Sequence, residues 1–508
     1  MAESQTITKS YTLKKLDITK NIGASTMAKG QLNVDAISLI NSFRDLYIYH
    51  DIDQTVTSGE IIIQEQGNLP KTFPIMGWER IDIEFQALGS SGITYDSYKR
   101  SFFVYAIDEM IDSGDVKFYT IHFADLSALI NVSSRLEHRY VGKAEDIISE
   151  ICNSDIFAKH GLKNTADGTS TNAINLSCKT QTQFDMDFVA PSWKPFDFIN
   201  KIASLAVGGV SGPAGGALKG AEIGGLSSGD KPLTEYSSTF SDCIFFQQTD
   251  GKFYFTSWLN LFQNIVSTTF KKYPRNDNTI KDKYVITNYN LSRLYNTQTQ
   301  AMTGMFGLVS KVIDVSNMSI NTFHTYYYKS DVGKDKGTYS AIGVEELPTG
   351  EAIQAGYIDS LISPYYWQQK NAKITYDPRF SAIKMSPAAC ITVNACGFSE
   401  SEMARGGRTS NLQGVSKETA MYAYARGHAC NLNLRAKSVT LTLNPCSDLK
   451  LGQLVTIQAG STESQKTDIT SIEEFLNGIW YIGKIKYHLT FSEIEVNVEC
   501  YSSYLGLR

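Results

Sequence analysis

Residues that build chemical centres are few and scattered in this sequence. Its seven histidines, at 50, 122, 138, 160, 324, 428 and 488, include no pair at helical ligand spacing. H-E-x-x-H is absent, so they read as isolated core or surface side chains and not as a zinc centre, which needs three or four convergent ligands. None of the eight cysteines (152, 178, 243, 390, 396, 430, 446, 500) forms a C-x-x-C pair. Cys390 and Cys396, on an expected strand, are the nearest two, and the set reads as thiols of a reducing compartment. There is no G-x-x-x-x-G-K motif followed by Ser or Thr to cradle phosphate.

Charge of one sign is also lacking. The chain has 47 basic and 52 acidic side chains and a net charge of −5, which excludes a general, basic nucleic-acid binder. No long apolar run exists. The uncharged stretch between Lys201 and Lys219 is rich in Gly and Ala and too weakly apolar for a membrane span. The segment Met1 to Leu16 lacks the apolar core of a signal peptide. Proline is scarce, at 12 residues.

Aromatic residues are plentiful, with 28 Tyr and 25 Phe, which favours strands. A hydrophobic content of 42% against 19% charged excludes chain-wide disorder. The 508 residues suggest three to four domains, at roughly 100–200 residues each. The expected fold is mainly β with α+β insertions.

Four stretches are expected: 1–125, 126–285, 286–385 and 386–508. In the first, Glu60 to Ile63 is a short apolar run, and Arg80-Ile81-Asp82-Ile83-Glu84-Phe85 alternates at period two, the mark of a strand with one wet face. Ser101 to Ile107 and Val116 to Phe123 read as a strand pair. In the second, Ala144, Ile147, Ile148, Ile151 and Cys152 make the apolar face of a helix, and another helix starts at Pro195. The Gly-rich segment 207–229 reads as a mobile loop, with a membrane-active segment as the alternative. Asp250-Gly251 between two aromatic runs predicts a hairpin. The third stretch holds strands at Val309 to Asp314 and around Tyr326-Tyr327-Tyr328, then an exposed loop from Lys329 to Gly350. The fourth has a small-residue helix near Ser416–Leu432, then strands at 438–443 and 493–500. Trp193, Trp258, Trp367 and Trp480 read as core or as the floor of a sugar groove. Paired carboxylates such as Asp108-Glu109 and Glu345-Glu346 read as solvated faces.

Several segments together resemble the central baseplate hub proteins of contractile phage tails. They are S-G-E-I-I-I through F-P-I-M-G-W-E-R-I-D-I-E-F at 58–85, F-V-A-P-S-W-K-P-F-D-F-I-N-K-I-A at 188–203 and F-F-Q-Q-T-D-G-K-F-Y-F-T-S at 245–257. Tyr295-Asn296, G-M-F-G at 304–307 and V-I-D at 312–314 follow. L-N-P-C-S-D-L-K-L-G-Q-L-V-T-I at 443–457 and L-N-G-I-W-Y-I-G-K-I-K-Y-H-L-T at 476–490 resemble the C-terminal barrel of hubs and of type VI secretion spikes. The chain departs from a minimal hub by insertions at 207–240 and 329–375, and it shows no fused lysozyme or β-helix repeat.

The resemblance implies two tail-tube-like barrels, 1–125 and 386–508, sharing one fold, with a mixed α/β domain at 126–285 and a connecting β region at 286–385. It implies a non-enzymatic homotrimer without cofactor or metal, in a virion baseplate assembled in the host cytoplasm. Tail tube would lie above, central spike below and baseplate wedge around, with DNA passing through a channel without specific binding. Candidate channel-lining acids are Asp82 and Glu84, and Glu493, Glu495 and Glu499. Each barrel is expected to hold a glycine-turned hairpin and a strictly alternating strand: Gly77 then Ile81, Ile83 and Phe85, and Gly452 then Leu454 with the strand at 494–500. The competing reading is a tail-associated glycan-binding or glycan- or peptidoglycan-cleaving protein.

Overall fold

The alternating segments do form strands, and most of them join one sheet. A computed structural model describes residues 10–20, 36–66, 73–88, 95–113, 116–158, 174–182, 185–206, 208, 241, 243–262, 268–273, 284–293, 299, 302–303, 307–314, 319–326, 389–394, 428, 431–432, 434–459 and 476–502. The features expected at 209–229, at Lys329 to Gly350, at Trp367, at Cys396 and over most of Ser416–Leu432 lie outside these residues.

Seven strands come first: β1 (Tyr11–Thr19), β2 (Ala36–Ser38), β3 (Phe43–Asp51), β4 (Ser58–Glu65), β5 (Arg80–Ala87), β6 (Tyr98–Ser113) and β7 (Val116–Ala124). They pair in the order β3-β4-β7-β6-β5-β1-β2. Next come α1 (Leu126–Ser133), β8 (Arg139–Lys143), α2 (Ala144–Cys152), α3 (Asp155–Ala158), β9 (Leu176–Cys178), β10 (Asp185–Val189), α4 (Pro195–Leu205), β11 (Cys243–Gln247), β12 (Phe253–Ser257) and α5 (Trp258–Phe262). Here the helices cover small sheets, β10-β8 and β11-β12-β9. The expected apolar faces of α2 and α4 build this core: Ile147, Ile148, Ile151, Phe198, Ile199 and Ile202 pack with Phe245, Phe253 and Phe255. The expected hairpin joins β11 to β12, with Gly251 at φ +89°.

The rest are β13 (Thr268–Lys272), β14 (Ile286–Arg293), β15 (Gly307–Asp314), β16 (Ser319–Tyr326), β17 (Ala389–Asn394), β18 (Lys437–Leu443), β19 (Leu454–Ala459), β20 (Gly478–Thr490) and β21 (Ile494–Ser502). β16-β15-β17 form a separate sheet. The others pair in the order β14-β18-β21-β20-β19-β13. Thus β13 and β14, from outside 386–508, contribute to the C-terminal β-region.

The two β-regions repeat one topology. The order β3-β4-β7-β6-β5-β1 matches β14-β18-β21-β20-β19-β13 strand for strand. Two irregularities match too, while the shifts between Asn290 and Arg293 and between Asp108 and Ile111 have no counterpart on β3 or β20. A register shift between Phe43 and Asp45 corresponds to one between Ile286 and Asn288. Another between Val104 and Ala106 corresponds to one between Ile482 and Lys484. Bulges re-aim strands and are set by local sequence, so their coincidence marks a repeated architecture. The last pair differs, since β1 is antiparallel to β5 while β13 is parallel to β19.

This register fixes which residues correspond. The counterpart of β5 is β19, so Arg80, Asp82 and Glu84 answer to Leu454, Thr456 and Gln458, not to the acids of β21. Strand periodicity reports which face is wet; only pairing reports which strand is which.

Candidate functional site

The two β-regions meet at a seam. β20 is long: its first residues pair with β19, and Lys484 to Thr490 pair antiparallel with Asp51 to Asp45 of β3. A single hydrogen-bonded sheet therefore runs from one region into the other. Alternation on β3 buries Leu46, Ile48 and His50 and leaves Asp45, Tyr47, Tyr49 and Asp51 half-buried on the opposite face. Ile485, Tyr487 and Leu489 of β20 are buried likewise, in a core common to both regions.

The polar face of the seam is a network of charge and aromatic rings. His488 Nε2 lies 2.9 Å from Asp45 Oδ1, and its Nδ1 lies 3.5 Å from Glu495 Oε2. Its ring stacks on Tyr47 at 4.3 Å. Lys484 bridges Asp51 at 3.5 Å and Glu499 at 3.4 Å. Lys486 Nζ sits 4.6 Å from the Tyr47 ring centroid. One strand further, Tyr49 donates to Glu60 at 2.9 Å, and His122 lies between Glu60 (3.7 Å) and Asp108 (3.3 Å).

Of the five candidate acids, the structure brings Glu495 and Glu499 onto this face. Glu493 lies in the turn between β20 and β21, where its backbone N–H donates to Thr490 Oγ1. Asp82 and Glu84 are elsewhere, on β5. Asp82 is buried: Lys15 Nζ (2.8 Å), Arg80 Nε (2.7 Å) and Ser101 Oγ (2.5 Å) all donate to it. Burial alone would raise its carboxyl, but those three hydrogen bonds outweigh burial and hold it below the usual carboxylate value. Glu84 lies between Lys14 and Lys99. Alternation predicted a wet face here; the lysines of β1 and β6 cover it.

A second feature, not legible from any motif, ties the α/β domain to both β-regions. Arg100, buried on β6, pairs with Asp125 at 3.0 Å and reaches the carbonyls of Gln248 and Thr249. Asp125 also caps α1 through the Ser127 N–H and accepts from Gln247 Nε2 at 2.9 Å. On the other side of the β11–β12 turn, Gln248 accepts from the Leu451 N–H and donates to the Leu451 carbonyl, while Thr249 Oγ1 donates to the Leu449 carbonyl. The Asp-Gly hairpin thus clamps the first region to the second.

Trp258 and Trp480 are buried core, and Trp193 is 39% exposed. Among the described residues no three His, Cys, Asp or Glu converge as metal ligands, and no helix is long and apolar enough to cross a membrane.

No family model matches the chain, and no curated protein matches its sequence. Solved structures do match. The chain is similar to the tail protein from Neisseria meningitidis MC58, at 8% identity and TM-score 0.48, over 91% of this chain and 92% of that one. It is similar to the 43 kDa tail protein of prophage MuSo2 from Shewanella oneidensis, at 10% identity and TM-score 0.44, over 97% and 100%. It is also similar to the E. coli c3393 protein, a component of the type VI secretion system, at 8% identity and TM-score 0.38, over 92% and 76%.

Proposed function

We propose that this chain is the structural hub of a contractile phage tail baseplate, a homotrimer that joins a six-fold tube to a three-fold spike around a DNA channel. The observation that carries the reading is the repeated topology. One chain holds two copies of the same β-architecture, already joined edge to edge at the seam of β3 and β20. Three such chains supply six equivalent β-units, the number a six-fold partner requires, while keeping three-fold symmetry for the partner below. The number three comes from the hub resemblance of the sequence motifs. Closed rings also remove strand edges that would otherwise template aggregation.

In this reading the polar face of the seam lines the channel. Glu495 and Glu499, with Asp45, Asp51 and Glu60, outnumber Lys484 and Lys486 there, and a net acidic wall repels phosphate and lets DNA pass without sticking. Asp82 and Glu84, neutralised by Lys15, Arg80, Lys14 and Lys99, serve the outer strand instead. Tube, spike and wedge proteins are the partners, and the chemistry is geometric, not catalytic.

Mass photometry of the purified chain, alone and with its spike partner, tests the proposal. A species of three times 56.4 kDa is expected. A monomer under both conditions contradicts it, as do lysis zones on a cell-wall overlay with this chain alone.

A further inference from the structure

We infer that Cys152 and Cys178 form a redox-sensitive pair, which a small-molecule disulfide converts into a covalent staple between α2 and β9. The inference stands apart from the hub reading and concerns the α/β domain alone.

Cys152, Cys243, Cys446 and Cys500 are buried, whereas Cys178 is exposed and open to a reagent. Cys178 ends β9, and its sulfur turns towards α2, where it lies 3.5 Å from Ser149 Oγ. Ser149 and Cys152 stand three residues apart on α2. Side chains at that spacing are neighbours on one helix face, with about 5–6 Å between Cβ atoms. The Cys152 thiol is therefore the next group along the face that Cys178 touches. Burial pushes the Cys152 thiol up, and the nearby Cys178 adds to that shift.

A disulfide needs Cβ atoms about 3.8 Å apart, so closure asks for a small approach of β9 to the helix. β9 is suited to it. It is three residues long, and among the described residues its partner strand is β12 alone, in parallel. The bond would steady the clamp between the β-regions. β12 and β11 form the hairpin whose Gln248 and Thr249 reach the carbonyls of Leu451 and Leu449. Tying β9 to α2 fastens the far side of that sheet to a helix whose Ile147, Ile148 and Ile151 share its core. In the reduced chain, hydrogen bonds and packing hold β9 by themselves.

The chemistry is two successive exchanges. The exposed Cys178 thiolate attacks one sulfur of an added disulfide, R–S–S–R, forming a mixed disulfide and releasing RS⁻. The Cys152 thiolate then attacks Cys178 Sγ, forms the staple and releases the second RS⁻. The two thiol protons end on the two released thiolates. Two protein thiols are oxidised and one R–S–S–R is reduced to two RSH. Burial raises the Cys178 thiol, and Glu145 and Asp146 add to this against the hydrogen bond with Ser149, so the first attack is slow at neutral pH.

The experiment uses the full chain, purified in reductant. After the reductant is removed, the chain is incubated with cystamine in mildly alkaline buffer, alkylated, digested and mapped by mass spectrometry over time. A cysteamine adduct on Cys178 that gives way to a peptide joining Cys152 to Cys178 is expected, with loss of both thiols from alkylation. Cys152→Ala should stop at the Cys178 adduct, with circular dichroism confirming its fold. Hydrogen exchange of the oxidised parent should slow at β9 and β12, and added reductant should restore the original rates. A Cys178 adduct that persists while Cys152 stays alkylatable overturns the pair, as does Cys152 joined to any other cysteine. Equal exchange in the stapled and reduced chains overturns the claim that the bond steadies the clamp.

Discussion

Trp78 and Gly452 occupy the same place in the two β-regions. The Trp78 N–H donates to the Val104 carbonyl at 2.8 Å, and the Gly452 N–H donates to the Ile482 carbonyl at 2.8 Å. The return bonds match, from Val104 to the Glu79 carbonyl and from Ile482 to the Gln453 carbonyl. Both residues take a left-handed backbone, at φ +68° and +71°. Glu79 accepts from the Met76 N–H, as Gln453 accepts from the Lys450 N–H. The glycine turns of the sequence suggest Gly77 as the counterpart of Gly452; the hydrogen bonds put Trp78 there. At Gly452 a Cβ would lie 3.1 Å from Leu261 Cδ1 in addition to the positive φ. Gly452→Ala is therefore expected to cost about 1–3 kcal/mol, read as a lower urea midpoint at unchanged slope. A variant as stable as the parent would contradict the shared turn.

The clamp of Arg100 and Asp125 yields a second expectation. Asp125→Ala removes a helix cap and leaves a buried guanidinium without its carboxylate. Breaking a buried pair from one side costs about 3–5 kcal/mol. Hydrogen exchange should show loosening around α1, the β11–β12 turn and Leu449 to Leu451 together. Loosening confined to α1 would mean that the hairpin is held by other contacts.

His50 sets a pH dependence. It is fully buried, with Thr57 Oγ1 3.0 Å from Nδ1 and Tyr98 Oη 3.3 Å from Nε2. Burial, with Arg100 nearby, pushes its imidazole well below the ordinary value of 6.5. Between the two values the unfolded chain binds more protons than the folded chain, so this group lowers stability as pH falls below 6.5 and has no effect above it. The slope is at most about 1.4 kcal/mol per pH unit. In urea titrations from pH 7 to pH 5, His50→Gln should lose stability less steeply than the parent. Identical slopes would show that His50 is protonated in the fold.

Gly59 of β4 lies between Ile48 of β3 and Phe123 of β7. A Cβ there would fall 2.3 Å from the Tyr47 carbonyl oxygen and 2.4 Å from Phe123 Cζ. The carbonyl belongs to a strand fixed on its other side by β20, so it has little room to yield. Gly59→Ala is expected to destabilise by about 1–3 kcal/mol and to weaken the seam. Ordinary thermal stability in this variant would contradict the tight approach.

The strands and helices with a clean period were legible in the sequence: β5 and β21 from alternation, α2 and α4 from apolar spacing, and the β11–β12 hairpin from Asp250-Gly251. β3 is not legible as a strand, although Leu46, Ile48 and His50 alternate with Asp45, Tyr47 and Tyr49. Tyrosine and histidine serve either face, so they blur the pattern. Asp82 was read as wet because periodicity identifies a face but not what covers it. The seam could not be read at all. Its partners, Asp45 and His488, are separated by more than four hundred residues, and strand pairing at that range leaves no local signal.

Cryo-electron microscopy of the assembled chain, viewed along its axis, decides how the β-regions are arranged. Six β-units around one channel are expected, alternating between the N-terminal and C-terminal regions of three chains, with Glu495 and Glu499 facing the lumen. A particle in which the two β-regions of one chain lie in separate rings, or one without a continuous channel, would contradict it.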